Sequence, residues 1–146
     1  MARGYPDFWG QAIHLRYGAP LEQTQQVNIV AGGGGLKAIF DLDMKGRIYG
    51  GLLRISGITT PASVIVFLEI DSQLMFTFTL ATAFPTYQLR TIECPYYFTY
   101  YDPDGGVVVI NLSRDFTCEQ HYRMWVKNEQ AGDVGTVGQV LYTILR

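Results

Sequence analysis

Val64-Ile65-Val66-Phe67-Leu68-Glu69-Ile70, then Asp71-Ser72-Gln73, then Leu74-Met75-Phe76-Thr77-Phe78-Thr79-Leu80, is the stretch that decides the fold class. In its second half Leu74, Phe76, Phe78 and Leu80 alternate with Met75, Thr77 and Thr79. Successive side chains of a strand point to opposite faces, so a period of two with one apolar set reads as a strand with one buried face. In the first half Val64, Val66, Leu68 and Ile70 alternate with Ile65, Phe67, Glu69 and Asp71. β-Branched and aromatic residues fill both runs, as a pleated surface prefers, and the polar Asp71-Ser72-Gln73 between them reads as their connection.

The same period extends outward in both directions. Leu36, Ala38, Phe40 and Leu42 alternate with Lys37, Ile39, Asp41 and Asp43, and Tyr122, Met124 and Val126 alternate with His121, Arg123, Trp125 and Lys127. Turn signals separate the runs: Gly32 to Gly35 between a strand near Val27–Ala31 and the one starting at Leu36, Lys45-Gly46 at a hairpin, Thr60-Pro61, and Ala131-Gly132-Asp133 before a last strand at about Thr136 to Leu145. Asp102-Pro103-Asp104-Gly105-Gly106 is the strongest, with Pro at a first central turn position and Gly where φ turns positive. No useful window carries a helical stripe. About eight or nine strands at this spacing predict an all-β chain, an antiparallel β-sandwich of jelly-roll-like form. The expected division is an irregular N-terminal arm over residues 1–20 and one sandwich domain over residues 21–146.

Composition narrows function. Charged residues are 16% of the chain, against about 25% in an ordinary soluble domain. Thr, Gln, Tyr and Gly must therefore cover much of the surface, with apolar area left for partners. A net charge of -2 and the lack of any Lys/Arg cluster argue against nucleic acid as a partner. The N-terminus shows no signal-peptide pattern, and the longest apolar run is too short to span a bilayer, so synthesis in a cytoplasm and no membrane partner are expected. Cys94 and Cys118 have no CxxC spacing and are read as reduced thiols.

The arm is unusual. Tyr5, Phe8, Trp9 and Tyr17 are crowded among Gly4, Pro6, Gly10, Gly18 and Pro20, which forbids a long helix or strand. Four large apolar side chains require a docking surface. It is either the arm's own domain or a neighbouring subunit, since arm exchange is a low-cost route to assembly.

Catalytic and metal chemistry find little support. The histidines are His14 in the arm and His121 on an outward strand face, and Ser56, Ser63, Ser72 and Ser113 lie in turns or strand ends without a Gly-x-Ser-x-Gly context. Gly32-Gly33-Gly34-Gly35-Leu36-Lys37 lacks the Lys-Ser/Thr pair of a phosphate loop and runs into a strand, so it reads as a hairpin loop. Asp41 with Asp43, and Asp102 with Asp104, fall short of the six to eight oxygens of calcium, and turn chemistry accounts for the latter pair. The expectation is no enzyme, no cofactor and no metal. Tyr96-Tyr97-Phe98-Thr99-Tyr100-Tyr101 sets Tyr97, Thr99 and Tyr101 on one face by simple alternation. Packing within the sheet, a subunit interface and a carbohydrate platform are all open to it. The interface candidates are thus Tyr5, Phe8, Trp9, Tyr17, Tyr97 and Tyr101.

Two stretches carry a family resemblance. Gly4-Tyr5-Pro6-Asp7-Phe8-Trp9-Gly10, running on to Tyr17-Gly18, and Tyr122-Arg123-Met124-Trp125-Val126-Lys127-Asn128 through Gly138-Gln139-Val140-Leu141-Tyr142, resemble small all-β virion structural proteins of tailed bacteriophages. The resemblance covers about a third of the chain and brings no site residues with it. It implies a capsid-decorating or tail/neck accessory protein, homo-oligomeric, associated with other virion proteins and assembled in the host cytoplasm. The alternative class is a carbohydrate-binding β-sandwich module.

Overall fold

The computed structural model describes residues 21–31, 35–81, 96–112 and 115–145. Within them the alternating runs form ten strands: β1 (Leu21–Ile29), β2 (Gly35–Asp43), β3 (Gly46–Ser56), β4 (Val64–Ile70), β5 (Gln73–Thr79), β6 (Tyr96–Asp102), β7 (Val107–Leu112), β8 (Phe116–Cys118), β9 (His121–Asn128) and β10 (Val134–Ile144). A 3-10 turn at Pro61–Ser63 leads into β4, and Leu80 and Ala81 turn helical past β5. The arm expected over residues 1–20 lies outside the described residues, as do Cys94 and Ser113.

One sheet runs β1-β10-β3-β7-β6, with the short β8 added to β3; the other runs β2-β9-β4-β5. Every pairing is antiparallel. With β6 and β8 set aside, eight strands remain, and they pair from the outside in: β1 with β10, β2 with β9, β3 with β7, β4 with β5. That is a single folded ribbon. Rolling it up adds the contacts β10–β3 and β9–β4 and divides it between two stacked sheets, which is the jelly roll. The sequence expectation of eight or nine strands thus meets an eight-strand frame with two additions.

Strand periodicity drives the roll. β4 and β9 bury every second residue without exception. Val64, Val66, Leu68, Phe78, Tyr122, Met124 and Val126 of the four-stranded sheet meet Ile29, Ile48, Leu53, Ile55, Val108, Ile110, Val134 and Val140 of the other. Each large side chain buried this way contributes roughly 1.5–3 kcal/mol. At the far edge the Phe78 and Phe98 rings meet edge-to-face, with centroids 6.2 Å apart, and join β5 to β6.

Simple alternation fails at four register slips, because an extra residue shifts the face of everything beyond it. One lies where Leu141 and Tyr142 of β10 pair with Gly50 and Ile48 of β3; the other three change which side chains face the core. Between Ala38 and Phe40 the register of β2 on β9 slips, so that both Ile39 and Phe40 are buried. Between Leu68 and Glu69 the pairing with β5 slips, which leaves Phe76 facing inward but turns Leu74 out, 58% exposed. Between Phe98 and Tyr100 it slips again: Phe98 and Tyr101 pack on the core and Tyr100 faces solvent.

One end of the roll is held by two buried amides. The Asn128 side-chain nitrogen donates to the carbonyls of Ile29 (3.1 Å) and Gly132 (2.9 Å), and its oxygen accepts from Gln130 N (3.1 Å). Gln130 donates to Gly57 O (2.8 Å) and accepts from the backbone N–H groups of Thr59 and Thr60. The pair replaces missing ladder partners for three separate chain segments. Gln130→Ala is expected to destabilise the fold by about 1–3 kcal/mol, with amide exchange accelerating at Thr59 and Thr60; denaturant melts and exchange measurements check it.

A second constraint is steric. A Cβ added at Gly138, on the inner face of β10, would lie 2.7 Å from both the Phe40 ring and Ile39 Cγ2. Gly138→Ala is therefore expected to lose about 1–3 kcal/mol through overpacking. Gly132→Ala, where the nearest atom would be 3.7 Å away, is expected to change stability by under ~0.5 kcal/mol. Paired urea titrations test the contrast.

Candidate assembly surface on the four-stranded sheet

The outer face of the four-stranded sheet is built from the residues that alternate with the core. On β9 these are His121, Arg123, Trp125 and Lys127, all partly exposed. Register fixes their neighbours: Trp125 sits between Ala38 of β2 and Phe67 of β4, Arg123 between Asp41 and Glu69, and His121 beside Asp43. The face therefore divides into an apolar half and a charged half.

In the apolar half Leu36, Phe67, Leu74 and Trp125, with Glu69 at the rim, line an open hollow of about 200 Å³. Leu36 is 46% exposed and Leu74 58%. Leu74 is there only because of the bulge opposite Glu69. In the charged half Arg123 Nε donates to Asp41 (2.7 Å) and its Nη1 to Glu69 (3.4 Å). The hydrogen bond to Asp41, with both carboxylates nearby, holds the guanidinium pKa above its ordinary value. Both carboxylates are thereby committed to the protein itself.

At the end of the charged half Asp71 acts as a clasp. Its carboxylate accepts from the backbone N–H groups of Glu119 (2.9 Å), Gln120 (2.7 Å) and His121 (3.0 Å), tying the β4–β5 turn to the β8–β9 connection. Burial pushes its pKa up, but the three backbone donors and His121 outweigh it and hold the carboxyl below its ordinary value. Asp71 and Ser72 have φ of 51° and 66°, positive at both central positions as a type I′ two-residue hairpin turn needs.

The turn brings Ser72 Oγ to 2.9 Å from His121 Nε2, and His121 Nδ1 lies 3.5 Å from Asp43. Sequence reading had set Ser72 and His121 apart, and the fold joins them. The order serine, imidazole, carboxylate is that of a hydrolase triad, but such a site also needs N–H donors aimed at a developing oxyanion. The backbone N–H groups of Glu119, Gln120 and His121, at the start of β9, are all engaged by Asp71. Asp43 is 88% exposed, so it orients the ring only weakly. The contacts of Ser72 and Asp71 fasten the β4–β5 turn to the start of β9.

Other sequence candidates fall as follows. Tyr101 is half-buried against the core, and the Tyr97 side chain, like Tyr5, Phe8, Trp9, Tyr17 and His14, lies outside the described residues. Asp102 accepts from Gly105 N (2.9 Å) within its own turn. Cys118 is a buried thiol whose pKa is pushed up to about 11 by burial and by Asp71 and Glu119. Among the described residues no three His, Cys, Asp or Glu side chains are grouped to hold a metal, and no helix is long and apolar enough to cross a membrane. The residues that sequence reading missed are Leu36, Phe67, Leu74 and Trp125. Phe67 and Trp125 stood in plain view on the outward half of their alternations.

No protein-family model matches the sequence, and no curated protein is similar to it in sequence. In structure the chain is similar to the capsid asymmetric unit of cyanophage Pam1, at 10% identity over 99% of this chain and 90% of that one, with a TM-score of 0.50. It is similar to the Bacillus endospore appendages that form disulfide-linked pili, at 10% identity over 88% and 90% of the two chains, with a TM-score of 0.50. The acidic stable capsid of Helicobacter pylori bacteriophage KHP30 follows at 11% identity over 86% and 92%, with a TM-score of 0.48. At these identities the likeness is one of fold.

The Asp71 clasp has a pH signature. A carboxyl whose pKa is lowered on folding adds stability that is present above its unfolded value, ordinarily 3.8, and lost as pH falls through the lower native value. Asp71→Asn is expected to reduce stability by about 1–2 kcal/mol at neutral pH and to flatten the acid limb below that value. Urea melts from pH 7 to pH 2.5 give both numbers.

Proposed function

We propose that this chain is a structural subunit of a many-copy protein assembly of the bacteriophage virion kind, in a capsid-decorating or tail/neck accessory role. The observation that carries the reading is the apolar half-face of Leu36, Phe67, Leu74 and Trp125, open on a rigid sheet whose polar neighbours are already paired with one another. A face of this kind has the composition of an interface core: aromatic and aliphatic side chains inside a charged margin. The fold adds support, since one structure it is similar to is a capsid unit and another belongs to proteins that form pili. In this reading Tyr5, Phe8, Trp9 and Tyr17 of the arm, with Tyr97 and Tyr101, are further contacts with copies of the chain or with other virion proteins, and the protein binds rather than catalyses.

A carbohydrate-binding role is the second reading. It is favoured by one observation, the partly exposed Trp125 in an open hollow, an arrangement that suits stacking on a sugar ring.

Leu74→Glu leaves the core untouched and places a charge in the hollow. It is expected to weaken self-association roughly 30-fold, the equivalent of ~2 kcal/mol for one interface anchor, with the melting temperature unchanged. The full-length Tyr5→Ala/Phe8→Ala/Trp9→Ala variant is expected to lose association as well. Sedimentation velocity is the measurement. Unchanged association in both variants, together with oligosaccharide-dependent Trp125 fluorescence in the parent protein, would favour the carbohydrate reading instead.

A further inference from the structure

The first strand ends its sheet, and its outer edge has no paired strand among the described residues. β1 is hydrogen-bonded to β10 in one unbroken register from Leu21–Tyr142 to Ile29–Val134, without a bulge. It holds no proline, lysine or arginine, and Glu22 is its one charge. Leu21, Glu22, Thr24, Gln25 and Gln26 are all exposed. Natural sheets usually guard such an edge with lysine, proline, a bulge or a covering segment.

Among the described residues a guard is present at one end only. Lys37, on β2, reaches across and donates from Nζ to Asn28 O (3.1 Å). Thr136 of β10 donates to Val27 O (2.7 Å) from the opposite side. In an antiparallel strand alternate residues direct both N–H and C=O to the same side. Val27 therefore faces β10 and Asn28 faces outward, so that Glu22, Thr24 and Gln26 also present their N–H and C=O groups at the open edge. Within the described residues the open segment runs from Leu21 to Val27, and Thr24 is the outward residue about which its pairs are self-complementary.

We infer that this edge pairs with the same edge of a second copy, antiparallel, about a two-fold axis at Thr24. The axis sets Leu21 opposite Val27 of the second copy, Glu22 opposite Gln26, Gln23 opposite Gln25, and Thr24 opposite Thr24. The outward residues meet each other, as the hydrogen-bond parity requires. Apolar meets apolar, amide meets amide, the one carboxylate meets an amide, and no like charges oppose. Such cross-strand pairs are the unit of sheet stabilisation, and a two-fold contact is self-complementary by construction. The pairing would join two six-stranded sheets into one continuous sheet. It rests on the reading of the chain as an assembly subunit and names one contact of that assembly.

The Thr24 side chain lies on the face opposite buried Ile29 and is exposed, so it is replaced without touching the core. In full-length protein, Thr24→Lys and Thr24→Glu each place two like charges face to face at the axis. Each alone is expected to weaken dimerisation at least tenfold by sedimentation equilibrium, and a one-to-one mixture is expected to restore it as a heterodimer. A parent protein that stays monomeric at high concentration, single variants that dimerise as the parent does, or a mixture that stays dissociated would each overturn the edge pairing. The arm variant Tyr5→Ala/Phe8→Ala/Trp9→Ala, run alongside, separates the two ideas. If it loses higher-order association while the lysine and glutamate variants show no rescue, assembly stands and the edge contact falls. If rescue is seen and the arm variant behaves as the parent, the edge contact stands without the arm.

Discussion

Three chain segments meet at one end of the roll, beyond the last rungs of their ladders, because two side-chain amides stand in for the backbone. Asn128 and Gln130 are buried to 0% and 3% exposure, and between them they hold the end of β1, the loop after β3 and the β9–β10 turn. A buried amide is tolerable only when its donors and acceptors are matched, because an unpaired polar group in a low-dielectric interior is costly. The matched amides hold these three segments together, while the alternation of β9 sets which of its faces looks outward.

Asp71 plays the corresponding part at the opposite end with a charge rather than an amide. The two ends differ in a way that matters for the surface. The amide end is sealed, while the Asp71 end leaves Ser72, His121 and Asp43 partly in water. At this end the backbone N–H groups of Glu119, Gln120 and His121 are all taken up by Asp71, so the turn carrying Ser72 is fastened to the start of β9.

Much of the fold was legible because strand period and turn residues are local signals. β4 and β9 follow simple alternation over their whole length, and the Asp102–Gly106 turn lies where the sequence puts it. What was not legible is nonlocal. A bulge depends on the partner strand, so the outward turn of Leu74 and the inward pair Ile39 and Phe40 have no signature in their own segments. Simple alternation likewise grouped Tyr101 with Thr99, whereas the register slip sends Tyr101 to the core and leaves Thr99 exposed. β1 begins at Leu21, well before the expected Val27, because Glu22 to Gln26 are polar on both faces and carry no alternation to read. The meeting of Ser72 with His121 joins the β4–β5 turn to a strand 49 residues further along the chain, which only the roll brings together.

The nested order of strand pairs also sets the order of entropic cost in folding. β4 and β5 are joined through a two-residue turn and close almost no loop, whereas β1 and β10 pair residue 21 with residue 142. Loop-closure entropy grows with the chain enclosed, and topologies dominated by distant pairs fold slowly. Each outer pair of the ribbon encloses the ones inside it, so the cost of pairing β1 falls steeply once the inner hairpins have shortened the effective loop. β1 is thus the strand whose seating gains most from all the others being in place. Until it docks, β10 is itself a bare edge, and the interval between translation and the closing of that last pair is when the chain is most exposed to pairing with the wrong partner.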